Sequence, residues 1–291
     1  MSFYIQMLMS ALVIGTFYGV VGLGITFVLR VTRVLNLSHS AVAMLAGMTY
    51  ASGIAAGYSI LPVVIAVLTL GAALGWAQGV FLRPWLGSHN EVLTVFLTLA
   101  IGLLLEGLGL IVFSKDPLGA PAVLNIPNLH VAGAVMTGAQ LVLVGLTVFA
   151  TGVFAVWYYA SYTGKLYRAM VDDEYGALVL GVSVMRLRSV AFGIGGLIAA
   201  VAGIGITPIM SMSYTTAGIM LVNGVTASIL GGVSNPFGAL AGGLLVGLIQ
   251  TLVAGTISSV LMLPASMALL LIVLIVRPDG LMPTRRRERV I

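Results

Sequence analysis

The sequence contains no cysteine, and few of its 291 residues are charged. Without cysteine there can be no disulfide, no thiolate metal site and no iron–sulfur cluster. Only 7% of the residues are charged whereas 60% are hydrophobic, and the mean hydropathy is +1.15. A soluble fold could not hide so much apolar surface beneath so few polar groups. These scarcities exclude a water-soluble domain and predict a protein whose solvent is lipid.

Lysine is almost as scarce, because Lys115 and Lys165 are the only two in the chain. A phosphate-binding P-loop needs a glycine-rich turn that ends in Gly-Lys-Ser/Thr, and Leu166 follows Lys165 instead. A membrane enzyme is also disfavoured, because no nucleophile, base and orienting residue share one membrane depth. The three histidines lie far apart and lack a carboxylate at metal-ligand spacing, so no metal site is expected. We predict a chain with no cofactor or enzymatic activity of its own.

Nine mostly apolar stretches follow one another between short polar breaks. A span of about 20 apolar residues matches the hydrocarbon thickness of a bilayer. The first stretch is too long for a signal peptide and has no basic leading region, so we interpret it as a retained span. We predict an all-α polytopic membrane protein with about eight or nine transmembrane helices in a single domain, residues 1–291. The predicted spans are residues 5–29, 40–57, 62–82, 92–113, 137–159, 190–210, 216–232, 237–256 and 262–276.

Two of these stretches are unusually polar. Residues 216–232 include Asn223 and Thr226 and end in two glycines, and residues 36–40 form a polar opening to the second span. Irregular backbone is tolerated within a membrane only beside a cavity or inside protein. We therefore predict one or two broken or re-entrant segments, with eight full crossings as the alternative to nine. Their positions in corresponding halves would suit an inverted repeat.

The distribution of positive charge predicts the orientation. Basic residues follow the predicted first, third, fifth and last spans, whereas the loops near 57–61, 114–136 and 255–263 hold only Lys115, Asp116 and His130 as titratable groups. Loops rich in arginine and lysine stay in the cytoplasm. We expect an external N-terminus and a cytoplasmic C-terminus. The terminal arginines 285–289 are expected to fix the topology and contact anionic lipid, with no nucleic-acid partner.

The most charged internal break, residues 160–189, has the pattern of a short capped helix. Asp172 or Asp173 can accept a hydrogen bond at its beginning, and Gly181 can end it in the left-handed conformation. These caps leave about two turns, residues 174–180.

The predicted short helix carries apolar side chains at residues 177–180. Such a helix could present a knob to a groove in another protein, and a solvated loop between two spans is the alternative. Ser183 is placed to cap the helix that follows.

Four short motifs occur in order along the chain. They are Asn36-Leu37-Ser38-His39-Ser40; Gly164-x3-Arg168-Ala169-x2-Asp172 with Ala177-x3-Gly181-Val182; the glycine-rich run Leu230-Gly231-Gly232 to Gly242-Gly243; and Arg277-Pro278-Asp279-Gly280-Leu281. Together they resemble the permeases of ABC importers, specifically the branched-chain amino acid permeases of the LivH type. Two departures are Ser40, where that family usually has glycine, and Ser234-Asn235, where Gly-Ser is common.

The resemblance implies an importer subunit of a bacterial inner membrane that carries branched-chain or related amino acids. It implies four kinds of partner: a second, homologous permease forming a heterodimer, two cytoplasmic ATP-binding subunits, an extracytoplasmic solute-binding protein, and membrane lipid. ATP and Mg would be bound by the partner ATPases. Energy would then reach this chain by contact through a coupling helix. The ATPase-coupling residues implied are Gly164, Arg168, Ala169, Asp172, Asp173, Glu174, Ala177 and Gly181.

Polar and small residues within the spans supply two further predicted sets. The translocation pathway is predicted to involve Asn36, Ser38, His39, Asn223 and Thr226. For the first three, capping of the second span is the alternative, and for the last two it is interhelical hydrogen bonding. The glycines predicted to form helix-packing faces are Gly231, Gly232, Gly238, Gly242 and Gly243.

Glu106 is the only acid placed well inside a predicted span. Intramembrane carboxylates are costly, so such a residue either relays protons or is bonded to a neighbouring helix or a polar pocket. A proton-relay role would make the chain an ion-coupled secondary carrier. A channel is the other alternative and would depend on the tripeptide 235–237, Asn-Pro-Phe. We expect the structural role for Glu106, because no second buried charge accompanies it.

Overall fold

The computed structural model describes residues 2–87, 90–113, 115–131 and 133–282. Its helices are α1 Ser2–Thr32, α2 His39–Ala55, α3 Ile60–Phe81, α4 Glu91–Phe113, α5 Gly138–Ala160, α6 Tyr162–Asp172, α7 Glu174–Val179, α8 Val184–Ile206, α9 Thr216–Gly231, α10 Gly238–Thr256 and α11 Met262–Val276, with a 3₁₀ turn at Ser259–Leu261. The predicted all-α polytopic fold is confirmed, and each predicted span coincides with one helix.

Seven described helices are long and apolar enough to cross a membrane: α1, α3, α4, α5, α8, α10 and α11 with its 3₁₀ turn. Among the nine helices that match predicted spans, the two shorter ones are α2, with 17 residues, and α9, with 16. At 1.5 Å per residue these are about 24–26 Å long, below the ~30 Å thickness of the hydrocarbon core. They are the two helices whose polar sequences predicted a broken or re-entrant segment.

One predicted boundary is wrong. The span expected at residues 190–210 is helical from Val184 to Ile206, so Arg186 and Arg188 belong to α8 and not to the preceding loop. Arg188 is buried, and its charge is neutralised by a carboxylate from α7. The helix can therefore continue through an arginine that hydropathy alone assigns to water.

Helices α1 and α8 lie at the centre of the bundle. In the most apolar stretch of each, 78% of the residues are buried, against 22% in α3, α4 and α5 and 6% in α11. The central pair is therefore covered by protein, whereas α3, α4, α5 and α11 present apolar side chains outward, as expected for contact with lipid.

Glycines allow the central helices to meet their neighbours at backbone distance. A Cβ added to Gly243 on α10 would collide with the backbone of Gly19 on α1, and one added to Gly247 would collide with Gly15. Gly15 and Gly19 are four residues apart on α1, and Gly243 and Gly247 are four apart on α10, so each pair lies on one face of its helix. This small-residue spacing permits close helix approach inside a membrane, and it fixes α1 against α10.

Helix α8 meets α3 in the same way. A Cβ on Gly71, Gly75 or Gly79 of α3 would strike the backbone of α8 at Gly196, Phe192 or Ser189. Ser189 Oγ also donates a hydrogen bond to the Gly79 carbonyl, at 2.9 Å. The half of this contact that lies toward the end of α3 is therefore made by backbone.

The helices alternate in direction, and every arginine in residues 2–282 lies at one end of the bundle. We call this the basic end. At the opposite end a short hairpin pairs β1 Leu129–Val131 with β2 Ala134–Met136. The Gln6 side chain exchanges two hydrogen bonds with the Val135 backbone, at 2.8 and 3.0 Å. The long loop between α4 and α5 is thus attached to the bundle.

Candidate functional site

At the basic end, α6 lies against the aromatic end of α5. Ser161 caps α6 by accepting a hydrogen bond from the Gly164 amide at 2.9 Å, and an added Cβ on Gly164 would collide with the Trp157 and Tyr158 carbonyls. The buried Tyr167 hydroxyl donates to the Leu187 carbonyl at 2.9 Å. Burial raises the pKa of Tyr167 well above its ordinary value, so the hydroxyl keeps the proton that this bond requires.

Helix α7 is short but closed at both ends. Asp173 accepts a hydrogen bond from the Gly176 amide at 3.0 Å, and the chain leaves the helix through Gly181 with φ of +79°. The Gly181 amide donates to the Leu178 carbonyl and the Val182 amide to the Ala177 carbonyl, both at 3.0 Å. This is the Schellman arrangement. The predicted caps are confirmed, and the helix ends at Val179, one residue before the predicted end.

Ser183 occupies the first position before α8, but its side chain makes no capping bond. The prediction that it caps α8 is wrong. The Arg186 and Leu187 amides are bonded instead by the Ser183 carbonyl, at 3.0 and 3.1 Å. The Ser183 carbonyl, and not its hydroxyl, is therefore the hydrogen-bond acceptor for the first turn of α8.

An ion pair joins α7 to α8. Arg188 Nη2 lies 2.9 Å from both carboxylate oxygens of Glu174, and Arg33 Nη2 lies 4.0 Å from one of them. The Arg188 side chain is 5% exposed and that of Glu174 29%. Charge-assisted bonds of this kind are among the strongest in proteins. The sequence did not predict this pair, because the two residues are 14 positions apart and Arg188 was assigned to a solvated loop.

The outward face of α7 is apolar. Ala177 packs inward, and four large side chains point away from the bundle: Tyr175, Leu178, Val179 and Leu180, which are 78%, 52%, 69% and 84% exposed. We call these four the α7 patch. The patch lies among the arginines of the basic end, where large apolar side chains are not expected to be exposed to water. The arrangement matches a knob offered to another protein, and Tyr175 is a member that the sequence did not single out.

The remaining residues predicted for coupling occupy different settings. Arg168 lies over the rings of Tyr158 and Tyr159, with 5.8 and 5.3 Å from its guanidinium carbon to the ring centres. Ala169 and Asp172 are exposed on α6. Of the eight residues, Gly164 and Ala177 serve packing, Asp173 and Gly181 fix the ends of α7, and Glu174 holds α7 to α8. Their roles in coupling stay predictions.

A second polar group lies where α2 begins. Ser38 Oγ is 2.6 Å from Asn36 Oδ1 and 2.9 Å from Gln78 Oε1 on α3, and the Leu37 amide donates to Thr98 Oγ1 on α4 at 3.1 Å. All four of these polar side chains are buried. Ser38 makes no capping bond to α2, so that alternative is wrong for Ser38. We call Asn36, Ser38, Gln78 and Thr98 the α2 cluster, and it ties three helices together.

His39 lies next to this cluster and is fully covered. Its ring fits between α1 and α8, where a Cβ added to Gly24 would collide with the ring and one added to Gly195 would meet Nδ1 at 3.8 Å. Among the described residues nothing bonds to the buried His39 Nε2. His39 therefore stands at the centre of the bundle, between its two most buried helices.

Asn223 belongs to a different buried network. Its Oδ1 accepts hydrogen bonds from Gln250 Nε2 at 2.7 Å and from Ser266 Oγ at 3.1 Å, which joins α9 to α10 and α11. Thr226 donates to the Val222 carbonyl of its own helix at 2.7 Å. The structure thus separates the predicted pathway residues into two groups, with no hydrogen bond between the groups in the described part of the chain.

Several partners in these networks were missed by the sequence reasoning. Gln78 and Gln250 are isolated amides within apolar helices, and each lies close to glycines at four-residue spacing. An amide that follows such a glycine face is directed toward a neighbouring helix. That spacing was a usable sign that both glutamines are buried and bonded.

The glycine-rich run after α9 is a region of close backbone contact. A Cβ on Gly242 would collide with the Ala227 carbonyl, and Gly231 and Gly238 would collide with each other. Gly232 ends α9 with φ of +104°. The Leu281 and Met282 amides then donate to the Leu230 and Gly231 carbonyls, at 2.9 and 3.1 Å. The segment after α11 thereby satisfies the end of α9.

Glu106 lies on α4 at the edge of the stripe that packs on α2. Its neighbours along this stripe, Gly102 and Gly109, are buried, whereas Glu106 is half-buried. Within residues 2–282 as described, no hydrogen bond or ion pair reaches its carboxylate. The expected bond to a neighbouring helix of this chain is therefore not found. Its setting differs from that of every other polar residue predicted to act within the bundle.

The comparison with known families gives one result over nearly the whole chain. Residues 7–277 match the model of the permease component of branched-chain amino acid transport systems. The chain belongs to this family of multi-pass membrane permeases.

Individual relatives agree. The chain is 24% identical to LivH, a high-affinity branched-chain amino acid permease of Escherichia coli K12, over 303 positions that cover 99% of this chain and 98% of LivH. BraD of Pseudomonas aeruginosa, also a branched-chain amino acid permease, is 24% identical over 310 positions with the same shares. The ribose permease RbsC of Haemophilus influenzae is 26% identical over 79% of this chain and 72% of its own length.

One solved structure is similar in fold. It is PsaBC from Streptococcus pneumoniae in complex with a Fab, with a TM-score of 0.50 and 12% identity over 99% of this chain and 94% of that one. At this identity the likeness concerns the arrangement of helices alone.

Proposed function

We propose that this chain is the translocation subunit of an ATP-driven importer for branched-chain or related amino acids. ATP hydrolysis would occur in two separate cytoplasmic subunits, and an extracytoplasmic binding protein would deliver the solute. The observation that carries the proposal is the α7 patch, a rigid apolar knob at the basic end. A protein that only diffused in lipid would have no use for four exposed large apolar side chains on its most charged surface.

The structure of α7 suits the transmission of force. Both ends of the helix are capped, and Glu174 is bonded to Arg188 in the first turns of α8. A displacement applied to the α7 patch would therefore act on α8, one of the two central helices. Rigid elements that dock on a moving partner can rock one part of a bundle against another. On the positive-inside rule the basic end faces the cytoplasm, where the ATPase would be.

The solute class follows from the relatives. LivH and BraD carry branched-chain amino acids by name and align over nearly their whole length, whereas the ribose permease aligns over less of either chain. In the proposed assembly the solute would pass between this chain and a second permease. The buried polar residues Asn36, Ser38, His39, Asn223 and Thr226 would then support the walls of that pathway from within the bundle.

The absence of cysteine allows a direct test of docking. Leu178→Cys would place a single thiol in the α7 patch, and Tyr58→Cys would place one at the opposite end, where Tyr58 is 68% exposed. Each variant would be expressed with the candidate ATPase subunit and treated with a short bifunctional cross-linker. We expect Leu178→Cys to cross-link to the ATPase and Tyr58→Cys not to. Cross-links of Leu178→Cys to the binding protein only would place α7 on the wrong side and refute the proposal.

A secondary carrier is the second candidate, because one observation favours it. Glu106 is a half-buried intramembrane carboxylate without a partner in the described chain, and such residues can relay protons. Transport by this chain alone in proteoliposomes, driven by a proton gradient and without ATP, would support the carrier. We expect uptake only when the ATPase subunits and ATP are present.

A further inference from the structure

A small polar cavity lies at the basic end beside the Glu174–Arg188 pair. Its volume is about 100 Å³, and it is more enclosed than open. It is bordered by the end of α1, the turn after α3, the beginning of α4, α7 and α8. An apolar cavity of comparable size holds a benzene molecule, so this one can hold one small organic ion with its water. Its lining residues are Thr32, Arg33, Val34, Trp85, Gly87, Glu91, Glu174 and Arg188.

The cavity brings together charges of both signs. Two guanidinium groups, of Arg33 and Arg188, and two carboxylates, of Glu91 and Glu174, line the same space. Only one close pair forms among them, because Arg33 stays 4.0 Å from Glu174. A ligand with a single charge would meet a like charge as well as an opposite one. A ligand that carries an anion and a cation a few ångströms apart would find a partner for each.

Arg188 has unused bonding capacity at this place. It is 4% exposed, and among the described residues no acceptor bonds to its buried Nε. A buried donor without a partner costs about 1–3 kcal/mol, more when it is charged. This atom is closed off from the cavity, so a carboxylate would reach it only when the Arg188 side chain shifts away from Glu174.

Arg33 is held in the cavity at a conformational cost. Its φ of +61° makes it the only described non-glycine residue with a left-handed backbone, directly after the end of α1. Glycine fits this position after a helix better, because it has no Cβ. An arginine in this unfavourable backbone conformation indicates that its side chain has a functional role. The Arg33 side chain is 64% exposed and its Nη2 lies 4.0 Å from Glu174, so the side chain is not there to be buried.

We propose that this cavity binds a free α-amino acid, with its carboxylate on Arg33 and Arg188 and its ammonium group on Glu91 and Glu174. The inference rests on the proposed function for its meaning, because on that orientation the site faces the cytoplasm and would sense imported product. The ammonium group would compete with Arg188 for Glu174. Occupancy would therefore loosen the bond between α7 and α8 and reduce transport when product accumulates.

The site can be tested without transport. The full chain would be placed in nanodiscs of phosphatidylcholine and phosphatidylglycerol and titrated calorimetrically with glycine, the smallest zwitterion. Acetate and methylammonium would serve as the two half-ligands. We expect saturable binding of one glycine, with each half-ligand at least about tenfold weaker. No saturable glycine binding, or acetate binding as tightly as glycine, would overturn the proposal.

Arg33→Gly is the informative variant. Glycine suits the left-handed backbone at this position, so the fold keeps its stability while the guanidinium is removed. We expect about tenfold weaker glycine binding. Arg186→Gln removes the same charge from an exposed position outside the cavity and should leave binding unchanged. Unaltered binding in Arg33→Gly would assign the glycine to another place, such as the transport pathway, and would refute this site.

A lipid headgroup is another source of the same chemistry, because phosphatidylethanolamine carries an ammonium group beside a phosphate. The titration would be repeated in nanodiscs that contain it. Binding that persists supports a free amino acid, and binding that is lost assigns the site to lipid and overturns the proposal.

A final experiment tests the binding site and the proposed function separately. In the assembled transporter, glycine on the side of the ATPase should lower ATP-driven uptake in the wild type and lower it less in Arg33→Gly. Glycine binding to the chain together with failure to find any ATPase partner would refute the proposed function alone. ATP-driven uptake without glycine binding would refute the site alone.

Discussion

The α7 region and the α2 cluster are both polar interruptions in an apolar chain, and they fold in opposite ways. In the α7 region, residues 160–189, Glu174 turns inward to meet Arg188 whereas Asp172 and Arg186 stay exposed, and the large apolar side chains of the α7 patch point out. In the α2 cluster the polar groups are buried, and Asn36 and Gln78 are each hydrogen-bonded to Ser38. A polar break therefore marks a place where the chain departs from a simple span, but it does not say which groups will face water.

The difference has a physical cause. The α7 region lies outside the helices long enough to cross a membrane, and on the proposed function its apolar surface is covered by another protein. The α2 cluster lies among three helices, where unsatisfied polar groups cost several kcal/mol and must find partners within the protein. On the proposed function the first region is completed by a partner. The second is bonded within the bundle, although Gln78 Nε2 has no partner among the described residues.

The largest effect is expected where the charge pair of the α7 region is broken. Glu174→Gln would leave the buried guanidinium of Arg188 without its counter-charge, which should cost about 3 kcal/mol of folding free energy. We expect a lower melting temperature in detergent and weaker ATPase docking. Asp116→Asn removes a similar charge from an exposed position in the loop after α4, at the opposite end, and should change neither. Equal melting temperatures for the two variants would show that the pair does not hold α7 in place.

A smaller effect is expected in the α2 cluster. Ser38→Ala would remove the hydroxyl that links Asn36 to Gln78 and leave buried polar atoms unpaired, at about 2 kcal/mol. Thr69→Ala is the matched control, because Thr69 is exposed on α3 and bonds only to its own helix. The melting temperature should fall for the first variant and hold for the second. A stable Ser38→Ala protein would mean that water or another group replaces the hydroxyl.

The sequence predicts the α7 region better than the α2 cluster, because the first depends on neighbours in the chain and the second on contacts between helices. Hydropathy and span length locate the helices, and local cap chemistry locates α7, because both depend on neighbours in the sequence. The partners of the α2 cluster and of Asn223 depend on which helices pack together. Nothing in the residues around Gln78 or Ser266 states that α3 meets α2 or that α11 meets α9. Arg188 illustrates the limit, since its burial follows from a carboxylate on another helix.

A third, smaller effect is expected at the end of α7. Gly181→Val would force a β-branched residue into the left-handed conformation, at a cost of at least about 1 kcal/mol. We expect ATP hydrolysis to continue while uptake falls, because α7 would lose its fixed direction and not its side chains. Gly181→Asn, which tolerates this backbone, should restore most of the uptake. Uptake in Gly181→Val that equals the wild type would argue against a role for the rigid end.

The smallest effect is expected at Glu106, which belongs to neither region and has no partner in the described chain. Glu106→Gln keeps the shape of the side chain and removes the charge, so ATP-driven uptake should fall by less than about threefold, under 1 kcal/mol. The measurement is initial uptake at several pH values. Complete loss of uptake, together with loss of its pH dependence in a correctly assembled transporter, would assign proton transfer to Glu106 and favour the carrier.

The glycine contact between α3 and α8 determines how motion can spread through the bundle. Side chains that interlock can yield by changing rotamer, but Gly71, Gly75 and Gly79 leave backbone against backbone with almost nothing to rearrange. Along this half of the contact the two helices should therefore move together. A small tilt of α8 at the basic end would carry the adjoining half of α3 with it, whereas toward the far surface Val63 and Val67 share a side-chain cluster with Ala200 and Ile204 that can adjust.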